Sequence, residues 1–222
     1  MSRTETGTSP ARRPSGRPTA AGAAHLVARI LDTATGAFLD HGYAATSIET
    51  IAAEAGVAKR TLYARWRDKP ALFRAVLESL MARWLATPET PADAADGLEG
   101  ALLQIARRVL GVALEPDALA LHRLMIAESG RFPELADMVR QSGSAAGMAR
   151  IAGLLAAEMT GGRLVPLDPG FAAEQFLYLV LAGPQRRALG LAPPLDAAGV
   201  EAWAHQAVTL FLNGCLPRSA PG

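Results

Sequence analysis

Six cations crowd one short stretch of this 222-residue chain: Lys59, Arg60, Arg65, Arg67, Lys69 and Arg74, against a single acid, Asp68. Guanidinium and ammonium groups at that density suit a polyanion. An arginine that grips guanine by two hydrogen bonds discriminates between bases by about 1–3 kcal/mol. Lys59 and Arg60 stand at the amino-terminal end of a short helix, from which side chains reach base edges in a major groove. Thr46, Tyr63 and Lys69 offer two hydroxyls and a point charge, chemistry suited to phosphate oxygens. Backbone amides at the starts of the flanking helices add the same preference for anions. A charge run is also what any solvated helix face carries. The order of the surrounding elements favours the duplex.

Those elements are legible from spacing. Thr46, with Glu49 three residues on, reads as a capping box. Ile48, Ile51, Ala52 and Ala55 then form one buried stripe. Gly56 stops that helix where positive φ costs least. A second short helix runs from about Ala58 to Trp66 with Leu62 inward, completing a helix-turn-helix. Ahead of it, Val27, Ile30, Leu31, Ala34, Ala37 and Phe38 share one face of a helix over 20–41, with Gly42 as its left-handed cap. Behind it, Asp68 caps a fourth helix that tolerates Pro70 in its first turn. Leu72, Phe73, Val76, Leu77, Leu80, Met81 and Trp84 give that helix an apolar stripe.

Residues 30–77 closely resemble the DNA-binding domain of the TetR family of transcriptional regulators. The matching residues are Ala37-Phe38, Gly42-Tyr43, Thr46-Ser47-Ile48, Ile51-Ala52, Ala55-Gly56-Val57, Thr61-Leu62-Tyr63, Trp66, Asp68-Lys69 and Leu72-Phe73. The resemblance implies a homodimer on a palindromic operator of double-stranded DNA, with repression relieved by a small effector. It places Thr46, Tyr63 and Lys69 at backbone-contacting positions and Lys59, Arg60 and Thr61 at the base-reading end. Ser47 and Trp66 lie in the matched stretch and join the expected DNA-binding residues. Two positions depart from the pattern. Ala58 stands where the family often has a capping serine, and Pro70 replaces a more usual acidic residue.

The expected fold is all-α: a three-helix helix-turn-helix DNA-binding domain followed by a larger helical ligand-binding and dimerisation domain. Residues 1–18 read as a disordered basic tail, whose Arg12, Arg13 and Arg17 either stay solvated or reach a minor groove. The DNA-binding domain spans 19–67, a connecting helix 68–90, the helical regulatory domain 91–216 and a tail 217–222, with Pro88 and Pro91 at the boundary. Beyond Pro91 the spacing predicts helices over 93–114, 116–130, 133–160 (broken near Gly143), 168–190 and 196–214. Gly183-Pro184 should kink or interrupt the penultimate helix, since Pro184 cannot donate to the Val180 carbonyl.

Residues 128–136 also look like a segment of some regulatory domains in the family. By resemblance, the last two helices pair with their copies across a two-fold axis. Val200, Trp203, Ala204, Ala207, Val208 and Phe211 give the last helix an apolar face wide enough for core and dimer contact together, or for ordinary core alone. His122, Arg123, Met125 and Tyr178 are candidate lining residues for an effector site, or structural residues on their helices. The apolar composition favours an apolar or amphipathic effector.

Half of the residues are hydrophobic and 5% aromatic, as in a well-packed helical protein. Residues 1–86 hold 12 Lys or Arg against 7 Asp or Glu, and residues 87–222 hold 10 against 14. A basic front and an acidic back suit a polyanion at one end. No apolar run is long enough for a bilayer and no apolar segment follows the amino-terminal arginines, so a cytoplasmic protein without membrane contact is expected. A single cysteine, Cys215, forms no internal disulfide or metal cluster. No phosphate loop, metal-ligand spacing or nucleophile elbow is present, and the four histidines are scattered, so neither enzyme activity nor a cofactor is expected. A helix-turn-helix used for protein contact, without ligand control, is the alternative.

Overall fold

The described residues of the computed structural model, 20–85, 97–141 and 145–216, form ten helices and no strand. The expected tails with Arg12, Arg13 and Arg17, the boundary prolines Pro88 and Pro91, and Gly143 lie outside them. The helices are α1 (Ala20–Ala45), α2 (Ile48–Glu54), α3 (Lys59–Tyr63), α4 (Lys69–Leu85), α5 (Gly97–Ala113), α6 (Pro116–Glu128), α7 (Pro133–Val139), α8 (Ala145–Thr160), α9 (Pro169–Ala188) and α10 (Ala197–Cys215). Proline and glycine punctuation accounts for most of these boundaries. Pro116, Pro133 and Pro169 occupy first turns, where the missing N–H has no helical partner to lose.

Two apolar cores divide the chain. The first gathers Phe38, Tyr43, Leu62, Trp66, Leu72, Phe73 and Trp84 from α1 to α4, together with Leu121 and Leu124 of α6 and Leu135 and Met138 of α7. The second joins α5, α8, α9 and α10 through Leu102, Ala106, Leu155, Phe176, Val180, Val208 and Phe211. The core boundary therefore does not follow the sequence boundary near Pro91. Two helices beyond it pack forward onto the first core, α6 against α1 and α7 against α4.

Gly42 interrupts α1 with φ 85 and ψ 163. That extended conformation at positive φ is essentially restricted to glycine, and it replaces the expected left-handed cap. A Cβ there would sit 2.5 Å from Glu128 Oε1, the movable end of a side chain, so the backbone angle is what requires glycine. Gly56, at φ 64, closes α2 as expected. Its N–H donates to the Ala53 carbonyl and that of Val57 to the Ala52 carbonyl, the paired bonds of a Schellman turn.

Of the kink or interruption expected at Gly183-Pro184, the interruption is absent: α9 runs on through both residues. The proline stands where α9 packs closely on α10. A Cβ on Gly183 would lie 2.2 Å from the Trp203 ring, so α9 and α10 meet there at backbone distance. Trp203 Nε1 donates to the Leu179 carbonyl at 3.1 Å. Arg187 donates to the Gly183 carbonyl and lies over the Trp203 ring.

Candidate nucleic-acid interface

A helix of five residues such as α3 does not hold itself in water, because nucleation outweighs its few hydrogen bonds. Leu62 fixes it from below, fully buried in the first core. Burying a leucine stabilises by roughly 1.5–3 kcal/mol. Ala58 occupies the N-cap with no side-chain hydrogen bond, as its residue type implies. With Leu62 turned inward, Lys59, Arg60 and Tyr63 are exposed, and Thr61 is half-buried. Arg60 and Arg65 have no side-chain partner among the described residues. Arg67 pairs with Asp68 at 2.9 Å, and Arg74 donates to Gln141 Oε1.

The start of α2 corrects the expected capping box by one residue. Ser47 is the N-cap, its Oγ accepting from the Thr50 N–H at 3.0 Å. Thr46 is buried, with its hydroxyl 2.7 Å from the Gly42 carbonyl and 3.0 Å from the Ala37 carbonyl. One hydroxyl proton serves those two oxygens, so the Thr46 side chain has none left for a phosphate. Asp68 does cap α4, accepting from the Ala71 N–H at 2.8 Å.

Lys69 is also turned inward, contrary to its expected role as a point charge for phosphate. Its Nζ donates to the carbonyls of Tyr43 at 2.8 Å, Thr46 at 3.1 Å and Ala44 at 3.4 Å, and lies 4.5 Å from the centre of the Tyr43 ring. Three N–H groups serve three carbonyls around the end of α1. Burial lowers its pKa, with Glu128 opposing and Arg131 adding to the effect. Trp66, expected at the DNA, is 8% exposed and packs in the first core, so its ring holds α3 in place.

Glu49 escaped the sequence reading except as a capping partner. Its Oε1 accepts from Lys59 Nζ at 3.2 Å and from the Tyr63 hydroxyl at 3.2 Å. One carboxylate of α2 thus ties both ends of α3, while its side chain stays 45% exposed. Its own backbone N–H and then Lys59 hold its carboxyl below the usual range. The signal available beforehand was its place in the first turn of α2, with a lysine ten residues on.

Of the expected effector residues, His122, Arg123 and Met125 stand on α6 and Tyr178 on α9. Arg123 is exposed, His122 half-buried, and Met125 packs against the first core. Tyr178 is 59% exposed on α9. None of the four lines either of two surface clefts. One, of about 520 Å³, lies between Asp32, Asp40, Arg83 and Asp117; the other, of about 200 Å³, lies between α5 and α10. Four of the six residues of the expected apolar face of α10 are covered within the protomer. Ala204, Ala207, Val208 and Phe211 are buried within the protomer against α5 and α9, which leaves them no area for a partner. Val200 and Trp203 are half-buried against the same core.

Residues 30–76 match the family described as bacterial regulatory proteins, tetR family, and residues 100–214 match the AefR-like transcriptional repressor C-terminal domain. Among solved structures, the flavonoid-responsive regulator FrrA is 34% identical, covering 88% of this chain and 100% of its own, with a TM-score of 0.72. A TetR transcriptional regulator from Agrobacterium tumefaciens is 26% identical over 86% of this chain and 94% of its own, with a TM-score of 0.65. The transcriptional repressor ComR of Escherichia coli K12 is 42% identical over 59 residues, which are 27% of this chain; the match spans only 28% of ComR. With just over half of its length in the second family match and its amino-terminal helix-turn-helix in the first, the chain belongs to the TetR family of transcriptional regulators.

Proposed function

We propose that the protein represses transcription as a homodimer, holding a palindromic operator and releasing it when a small apolar or amphipathic molecule binds its rear helices. Arg60 carries this reading: it stands exposed at the start of α3, above a fully buried Leu62, with no side-chain partner among the described residues. A guanidinium so placed can grip a guanine edge. Lys59 and Thr61 flank it at the base-reading end, and Ser47 and Tyr63 are suited to phosphates. Two copies of α3 would meet half-sites about one helical turn, or a multiple of it, apart.

Dimerisation is proposed through α9 and α10. With much of the inward face of α10 consumed by the core, the exposed Phe171, Tyr178 and Leu210 on these two helices, with the half-buried Val200 and Trp203, offer apolar surface to a partner. FrrA is described as flavonoid-responsive, which favours a flat, amphipathic effector here as well. The cytoplasm is the proposed location, and no described helix is long and apolar enough to cross a membrane.

Selection of bound fragments from genomic DNA should return a palindrome. Arg60→Ala should then lose roughly ten- to hundredfold in preference for that operator, with a much smaller loss on random duplex. Equal losses on both duplexes would overturn the base-reading role. A protein that sediments as a monomer with undiminished operator affinity would overturn the dimer.

A further inference from the structure

We propose that Glu49 is a built-in competitor for DNA, its carboxylate occupying, in the unbound protein, two donors that α3 would otherwise turn toward the duplex. The inference rests on the DNA-binding reading above. Lys59 and Tyr63 lie one helical turn apart, so they share a face of α3. Both reach the same oxygen, Oε1 of Glu49, across the gap between α2 and α3, at 3.2 Å each. Neither helix rests on this contact alone. α3 is already held by Leu62, and α2 is already capped by Ser47.

The exposure of the pair decides what it can do. The Lys59 and Glu49 side chains are 61% and 45% exposed, and such pairs are weak and screened by salt. A phosphate or base edge can therefore displace the carboxylate. Displacement leaves Glu49 as a negative charge beside a polyanion. On the operator, base contacts compensate for that repulsion; on random duplex, where binding is nearly all electrostatic, they do not. Glu49 thus weakens non-specific binding more than operator binding and widens the ratio between them. Glutamine keeps the length and the acceptor oxygen while removing the charge, so Glu49→Gln isolates the electrostatic part.

The test compares wild type, Glu49→Gln and Glu49→Ala on a random duplex and on the selected operator, across a salt series, with thermal melts to confirm folding. Both variants should bind random duplex about three- to tenfold tighter at low salt, with a salt slope steeper by about one unit. Operator affinity should rise less. Adding Lys59→Gln and Tyr63→Phe to the Glu49→Gln variant should remove most of the gain. Unchanged or weaker random binding by folded variants would overturn the proposal. Loss of discrimination at a single operator base pair would also overturn it, assigning Glu49 to base reading instead. Absence of salt-dependent duplex binding by wild type itself would overturn the DNA-binding reading on which this inference stands.

Discussion

The two cores solve different problems. In the first, Phe38, Tyr43, Phe73 and Phe132 interlock with ring centres 5.0 to 5.8 Å apart, three of the four contacts edge-on. Polar pins join them: Thr46 and Lys69 hold the carbonyls around the end of α1, and Glu128 accepts from the Ala44 N–H at 2.8 Å. The second core is mostly leucine, alanine and valine, with Phe176 against Phe211 as its one ring pair among the described residues. Those rings stand on α1, on α4 and just ahead of α7, and with the directional hydrogen bonds they fix the frame against which the short α2 and α3 seat Ile51 and Leu62. Long helices spread a packing error over several turns, and aliphatic cores repack at modest cost.

The sharpest way to break this contrast is to remove one ring from each side. Phe73→Ala and Phe176→Ala should each cost about 3–5 kcal/mol in urea unfolding. In hydrogen exchange, Phe73→Ala should strip protection from α2 and α3, whereas Phe176→Ala should spare it until the whole molecule opens. Equal loss of protection in those helices would mean the cores act as one.

Alkali should probe the first core next. Burial, helped by Glu134, Asp68 and Glu128, pushes Tyr43 up to about 12 from its ordinary 10.0. The folded state therefore favours the neutral phenol. Its contribution is complete below pH 10 and is lost as the pH rises through the raised value. The shift corresponds to about 2–3 kcal/mol. Tyr43→Phe should lack this alkaline loss in urea midpoints, and parallel losses in both proteins would show that Tyr43 is not held neutral by the core. The smallest effect is expected from Ala58→Ser, which supplies the absent side-chain cap and should stabilise α3 by about 0.5–1 kcal/mol. No rise in the urea midpoint would show that a serine at this position does not cap that helix.

Much of the fold was legible because it is written in local chemistry. Proline at first turns, Gly56 at positive φ and the stripe from Leu72 to Trp84 are decided within a few residues. What local chemistry cannot decide is which neighbour claims a group. Thr46 and Ser47 are equally competent caps, and the carbonyls of Ala37 and Gly42 settled which one faces inward. Lys69 looks like a free ammonium until the end of α1 arrives beside it. The apolar face of α10 was read correctly as a face, but periodicity does not say whether its cover comes from α5 and α9 or from a second copy. Glu49 was invisible as a partner of Lys59 and Tyr63 because that contact depends on the angle between α2 and α3.

The reach of α6 and α7 into the first core bears on how the molecule is made. Residues 121, 124, 135 and 138 complete a core begun by α1, and the Glu128–Ala44 bond joins positions 84 apart in the chain. Synthesis proceeds from the amino terminus, and contacts of long separation form late. A nascent chain that has extruded its helix-turn-helix still lacks four buried apolar side chains that seat against it, and the Phe132 ring besides. The front body is therefore no detachable cassette: a polypeptide cut before α6 leaves bare leucine seats, while one extended past Met138 carries every buried side chain of the first core.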